Sequence, residues 1–357
     1  MRIIILLFGL LTFQGSFHDR FYCDTIDVTD DGRYIAGISP TDVVVIDAMN
    51  QKIIAKHEFK DRCRLLNIKI SGNGRYLVWT HNWEMYHAEF TNDEIRNVGK
   101  LNVGKAWLDL DINYDGSRII ATQDYQIEQD ENRCSPTQRL ILEMRCDVYP
   151  FAHQIVERTV KPCYLLSNCE LLPDSSLLYI RNDAKTAPYE HNLVEATFKD
   201  ENWNYQIIKD SVNYLVRQPV STNGELLMYD CGFYILSKDN NGNWQKENIS
   251  LPSDNGICLG NWNSAISPNG QTIVYLRDYR KDNYVQYSEF WITKKVKNQW
   301  TTPQLFIAPD TPRFIYNIAD FRLSNSNFII ANRDGYVYLK STLEEDLESD
   351  WRKIRRD

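Results

Sequence analysis

The sequence predicts an all-β fold, a seven-bladed β-propeller of four-stranded antiparallel blades, and three observations carry that prediction. A unit of apolar strand, tight turn and apolar strand recurs seven times along the chain. The turn positions, residues 32, 74, 116, 175, 224, 270 and 326, are separated by 42, 42, 59, 49, 46 and 56 residues. Forty-odd residues is the span of a four-stranded blade. Aromatic residues make up 12% of the chain, with 21 Tyr, 14 Phe and 9 Trp, and such residues favour strands.

The copies, in order, are DVTDDGRYIAG (Asp27–Gly37), KISGNGRYLVW (Lys69–Trp79), DINYDGSRIIA (Asp111–Ala121), ELLPDSSLLYI (Glu170–Ile180), PVSTNGELLMY (Pro219–Tyr229), AISPNGQTIVY (Ala265–Tyr275) and FRLSNSNFIIA (Phe321–Ala331). Gly32, Gly74, Gly116, Gly224 and Gly270 hold five of the turns, while Ser175 and Ser326 stand in the other two. Asn-Gly or Asp-Gly between apolar runs signals a hairpin, because Gly accepts the positive φ such turns need.

In the first unit the four strands are expected at Thr25–Thr29, Tyr34–Ile38, Val43–Asp47 and Ile53–His57. DVVVID reads there as a half-buried third strand. Trp203, Trp244, Trp300 and Trp351 mark the starts of fourth strands in later units. The last of them lets unit seven complete itself without strand exchange between the termini. Asp124–Arg139 is expected as the loop between the second and third strands of unit three, and Leu343–Glu348 as a short helical turn. Apolar runs of four to eight residues, broken by Gly, Asn, Asp and Pro, argue against a helical fold. No linker divides the chain, so residues 17–357 read as one domain.

The N-terminus has the layout of a secretory signal peptide. Arg2 precedes an unbroken apolar run of 11 residues, Ile3–Phe13, followed by Gln14, Gly15 and Ser16. Cleavage is expected near Ser16, so residues 1–16 are assigned to the signal. The run is shorter than the ~20 residues that span a bilayer, and no stable membrane span is expected after cleavage. Arg20, Phe21 and Tyr22 before Cys23 are not a lipoprotein context. The expected compartment is secreted or periplasmic. Eight Cys, all beyond the signal, fit export and a disulfide framework.

The net charge of -8 excludes a general nucleic-acid binder. The basic run Arg352–Arg356 reads as a solvated strand or tail. His81 and His87, in HNWEMYH, would need a third ligand such as Glu84 to hold a metal, and the bland reading of a hydrogen-bonded or solvated pair is preferred. No HExxH, GxxxxGK or GxSxG occurs. Aspartates beside the turns lack the ligand spacing of an EF-hand loop and read as turn chemistry. No metal, cofactor or catalytic residue is assigned.

The AISPNGQTIVYL unit, with its later NxxW strand start, resembles the TolB-like subgroup of β-propeller repeats. Units one and two resemble general WD-repeat blades, without their Gly-His opening and Trp-Asp ending. The resemblance implies that strand one of each blade lines a central channel.

In a propeller, loops entering strand one and loops joining strands two and three share a face. The entering segments hold Arg64, Trp107, Tyr214, Arg217, Trp262 and Tyr316, residue types common among interface hot spots. Cys231–Cys258 and Cys23–Cys63 are expected to bridge neighbouring blades, with Cys134, Cys146, Cys163 and Cys169 pairing among themselves. The expected function is an exported, non-catalytic scaffold that binds a protein or envelope partner through this face. The alternative is a propeller enzyme, a lyase or hydrolase, or a protein that binds a carbohydrate or other small molecule at the channel mouth.

Overall fold

The computed structural model describes residues 25–62, 67–101, 107–126, 137–146, 152–158, 166–182, 191–210, 212, 219–229, 233–249, 264–281, 284–307, 318–325, 328–333, 336–341 and 352–353. Their strands form seven antiparallel sheets, in which neighbours in the chain pair with each other. The sheets occupy residues 25–58, 68–101, 107–158, 166–209, 226–248, 264–307 and 318–353. One sheet thus corresponds to each hairpin unit. Sheet five has three strands, and the single bridge Val220↔Leu226 stands where its first strand would be. In sheet six, Gln299–Trp300 and Gln304–Ile307 both pair with Tyr284–Val296.

Sheet one follows the expected division closely, with strands Thr25–Val28, Tyr34–Ile38, Asp42–Asp47 and Lys52–Glu58. Its third strand departs from expectation: all of DVVVID is buried. The cause is two-sided packing. Val43 and Val45 join a cluster with Ile68, Leu77 and Trp79 of sheet two, while Val44 and Ile46 pack with Ile26 and Ile35 on the other face. Equivalent clusters join sheets two to three, three to four, four to five and five to six. Full burial of one such side chain is worth roughly 1.5–3 kcal/mol, so stacking alone explains most of the apolar strand residues.

The expected loop at Asp124–Arg139 is partly a hairpin. Strands Arg118–Gln126 and Thr137–Arg145 keep pairing out to Gln126↔Thr137. Residues 127–136, Leu343–Glu348, Trp351, Ser326 and the N-terminal 24 residues lie outside the described set. Trp203, Trp244 and Trp300 do fall in outer strands, as the sequence led one to expect.

The turns share one geometry. Gly32 N–H donates to Thr29 O at 2.8 Å, and Gly74, Gly116, Gly224 and Gly270 repeat that bond in their own sheets. Each of these glycines has positive φ, and Ser175 takes the same conformation at φ 72°. Gly116 is required twice over, because a Cβ there would approach Tyr76 Cγ to 2.6 Å.

Strand register corrects one sequence alignment. Val28↔Ile35, Ile70↔Leu77, Ile112↔Ile119 and Ile266↔Ile273 close their turns over seven residues. Leu171↔Leu177, Val220↔Leu226 and Leu323↔Ile329 close over six. The return in unit seven is therefore one residue shorter than in unit six. Arg322, and not Phe321, is the counterpart of Asp27.

Backbone bonds also tie sheet to sheet. Asp30 N–H donates to Gly72 O at 3.1 Å, Asn73 N–H to Tyr114 O at 3.0 Å and Thr222 N–H to Pro268 O at 2.6 Å. Asn325 N–H donates to Asp30 O at 2.8 Å, which joins sheet seven to sheet one.

Candidate functional site: a charged cavity where the first strands end

The residue before the last position of each first strand forms an equivalent set by register. The set is Asp27, Lys69, Asp111, Glu170, Pro219, Ala265 and Arg322. Charge is concentrated in sheets seven, one, two, three and four. Sheets five and six contribute Pro219 and Ala265.

Two of the carboxylates have a structural task. Asp27 Oδ2 accepts the Ile70 N–H at 3.0 Å, and Asp111 Oδ2 accepts the Leu171 N–H at 2.9 Å. Each reaches from one sheet to the residue that follows the equivalent position of the next. Their other oxygens face cations. Arg322 Nε donates to Asp27 Oδ1 at 3.2 Å, and Lys69 Nζ lies 3.5 Å from Asp111 Oδ1. Bonds of this charge-assisted kind are about twice as strong as neutral ones.

Glu170 breaks the pattern. The equivalent bond would run to Val220 N–H, and it is not made; among the described residues the Glu170 carboxylate accepts no hydrogen bond and forms no ion pair. Burial and the nearby Asp111 push its pKa up to about 8. Asp30, on the turn of sheet one, is raised to about 6 by burial and by Asp27, Asp31 and Asp111. For Lys69, burial alone would lower the pKa, but the carboxylates of Asp111, Asp27 and Glu170 outweigh it and the ammonium is held charged.

These residues line a cavity of about 1370 Å³ that touches every sheet. Its rim is built from the turns that follow the first strands, including Asp31, Asn73, Asp115, Asp174, Thr222 and Asn325. Two aromatic side chains stand at the rim with large exposed areas: Tyr114 at 60% and Phe198 at 49%. Tyr114 lies over Gly72, where a Cβ would come within 2.6 Å of its ring. Phe198 leans on Trp203 with ring centroids 5.2 Å apart. Between them, Glu143 accepts from Arg118 Nε and Gln154 Nε2, both at 2.5 Å, and Arg118 Nη2 donates to Ser175 O at 3.0 Å.

The cavity lies at the other end of the first strands from the face expected to bind. Trp107 opens the strand Trp107–Ile112, four residues before Asp111, or about 13 Å along an extended chain. Arg64, Tyr214, Arg217, Trp262 and Tyr316 lie outside the described residues. So do Cys23, Cys63, Cys134, Cys163, Cys231 and Cys258. Cys146 packs beside the cluster between sheets two and three. Cys169 is a free thiol, 2% exposed, with Thr122 Oγ1 donating to its sulfur at 3.5 Å. Its strand turns it into the packed seam between sheets three and four, where burial, and secondly Asp109, raise the thiol pKa well above its ordinary value.

His81 and His87 do not converge. His81 sits opposite Glu84 and its Nε2 is 3.2 Å from Asp61 O, whereas His87 is buried against Tyr76 with ring centroids 5.5 Å apart. Among the described residues no group of three His, Cys, Asp or Glu is arranged to hold a metal.

The sequence held one unread signal for this cavity. Asp27, Lys69, Asp111 and Glu170 are the first letters of four repeat copies, charged residues at one fixed place in otherwise apolar strands.

No family model matches the sequence, and no curated protein matches it. Solved structures do match in fold. A prolyl endopeptidase superposes with TM-score 0.61 at 12% identity, covering 94% of this chain and 50% of that one. A puromycin-hydrolyzing peptidase of Mycobacterium tuberculosis gives 0.58 at 10% identity, covering 95% and 54%. An oligogalacturonate lyase of Vibrio parahaemolyticus gives 0.56 at 12% identity, covering 88% and 87%. The chain spans about half the length of the peptidases it matches. These likenesses place it among β-propeller-like all-β folds.

Proposed function

We propose that the seven sheets are the blades of a closed β-propeller of TolB-like repeats, and that the protein binds a polar, hydroxylated small molecule of the saccharide class in its central cavity. The observation that carries this reading is one cavity lined from all seven sheets, polar in its wall and aromatic at its rim. Concave sites with a few convergent polar groups and perturbed acids are where ligands bind. A sugar ring offers apolar C–H faces to aromatic side chains such as Tyr114 and Phe198, and hydroxyls to the carboxylates, amides and Arg118 between them. The joining bonds Arg322–Asp27 and Asn325–Asp30 support closure of the ring. One matching structure is described as an oligogalacturonate lyase, a second support for the saccharide class. The protein-scaffold alternative rests on residues of the opposite face, and no described residue favours it.

The test is titration of the purified chain with a panel of neutral oligosaccharides, followed by calorimetry. At least one member binds, and Tyr114→Ala and Phe198→Ala each weaken it about tenfold, the loss of a good aromatic contact. A panel with no binder, or a binder indifferent to both substitutions, rejects the reading. Export belongs to the same proposal, on the strength of Ile3–Phe13. N-terminal sequencing of the protein from its native host yields a start near Phe17; a start at Met1 rejects it.

A further inference from the structure

We propose that the ligand of this cavity carries a cationic group, ammonium or guanidinium, and that Glu170 receives it; this rests on the cavity-binding reading above. The argument begins with what each charged residue already does. Asp27 and Asp111 are committed, each to a backbone N–H of the next sheet and to a cation of the ring. Glu143 is committed to Arg118 and Gln154. Glu170 occupies the same register position as Asp27 and Asp111 yet holds no partner among the described residues. A recessed carboxylate without a structural task, at the wall of a large cavity, is a group available to a ligand.

The sign of the ligand follows from the rest of the wall. The described lining has eight carboxylates, Asp27, Asp30, Asp31, Asp111, Asp115, Glu143, Glu170 and Asp174, against four cations. Three of those cations, Lys69, Arg322 and Arg118, are already paired within the protein. An anionic ligand would have to displace an internal carboxylate to find a partner. A cation meets Glu170 ready-made at the cavity wall. Burial is the first cause of the raised pKa values of Glu170 and Asp30; neighbouring carboxylates add to both, and Lys69 and Arg322 partly offset them at Glu170. The charged groups facing Glu170 are Asp111, Lys69, Arg322 and Asp109. A bound cation stabilises the ionised form of Glu170, so binding below about pH 8 expels a proton.

Three probes of one skeleton test this on the full chain: methyl 6-amino-6-deoxyglucoside, methyl glucoside and methyl glucuronoside. They differ only in a cationic, neutral or anionic group at one carbon. Ligand-observed NMR gives the affinities, and calorimetry in two buffers of different ionisation enthalpy gives the protons released. The amine binds about tenfold tighter than the neutral glucoside, the glucuronoside binds weakest, and only the amine releases protons. In Glu170→Gln the ratio of amine to neutral affinity falls to within about twofold. Because that ratio is read inside one variant, partial loss of folded protein does not alter it. Equal affinities in the wild type, a preference for the glucuronoside, or an amine preference that survives Glu170→Gln overturns the proposal. Failure of all three probes to bind the wild type rejects the saccharide reading of the cavity, and this proposal falls with it.

Discussion

Arg322 Nε and Asp27 Oδ1 meet at 3.2 Å although 295 residues separate them. Their side chains are 9% and 11% exposed. The pair joins the last sheet to the first, and the same aspartate holds the Ile70 N–H of sheet two through its second oxygen. Three sheets therefore depend on one carboxylate.

Arg322→Met leaves the Asp27 charge buried and without its cation. Losing one partner of a buried ion pair costs about 3–5 kcal/mol. The thermal midpoint of the variant should fall well below that of the wild type, and a change indistinguishable from zero would mean that the two ends are held by other contacts.

Gly116→Ala and Gly242→Ala separate strain from overlap. Both glycines have positive φ, at 78° and 80°. A Cβ at Gly116 runs into the Tyr76 ring, whereas nothing lies within 4 Å of one at Gly242. Gly242→Ala costs only the backbone strain, about 1 kcal/mol, and Gly116→Ala costs clearly more. Chemical denaturation of the two variants side by side checks the order.

The contribution of Glu170 and Asp30 to stability should fall as pH rises from the acid side to mildly alkaline. Glu170 is raised from 4.5 to about 8 in the folded chain, and Asp30 from 3.8 to about 6. Between the unfolded and folded values the folded state binds more protons than the unfolded state, so the slope of stability with pH is negative. The penalty is absent below the unfolded pKa and complete above the folded one. Glu170→Gln removes its share: its melting temperature should match the wild type near pH 4.5 and exceed it above about pH 8. A variant that tracks the wild type throughout would show that Glu170 titrates normally.

Cys169 should resist thiol reagents in the native protein and react once it is unfolded. Its side chain is buried in the seam with Ile120, Tyr179 and Val194, and burial suppresses the reactive thiolate. Mass-spectrometric mapping after native and denaturing labelling checks both halves of the expectation.

The strands and turns were legible because their causes are local. A glycine with positive φ between two apolar runs leaves the same mark wherever it occurs, and AISPNGQTIVYL carries it plainly. The cavity was less legible. Asp27 and Asp111 appear in the sequence as ordinary strand aspartates, and nothing local separates them from Glu170. Only the placement of Ile70 and Leu171 against them shows that two carboxylates are spent and the third is not. DVVVID departs from its half-buried reading for a related reason: the burial of Val43 and Val45 depends on Ile68, Leu77 and Trp79 of the next sheet.

By itself, then, the sequence determined the repeat, the turn chemistry and the strand-rich class, all set by interactions a few residues long. The tertiary structure decided which charged side chains face one cavity, which of them are already paired, and that Arg322 rather than Phe321 completes the set. Those are facts of register and of sheets brought together across the whole chain. A one-residue shortening of a turn is invisible in a repeat alignment and moves a guanidinium from one face of a strand to the other.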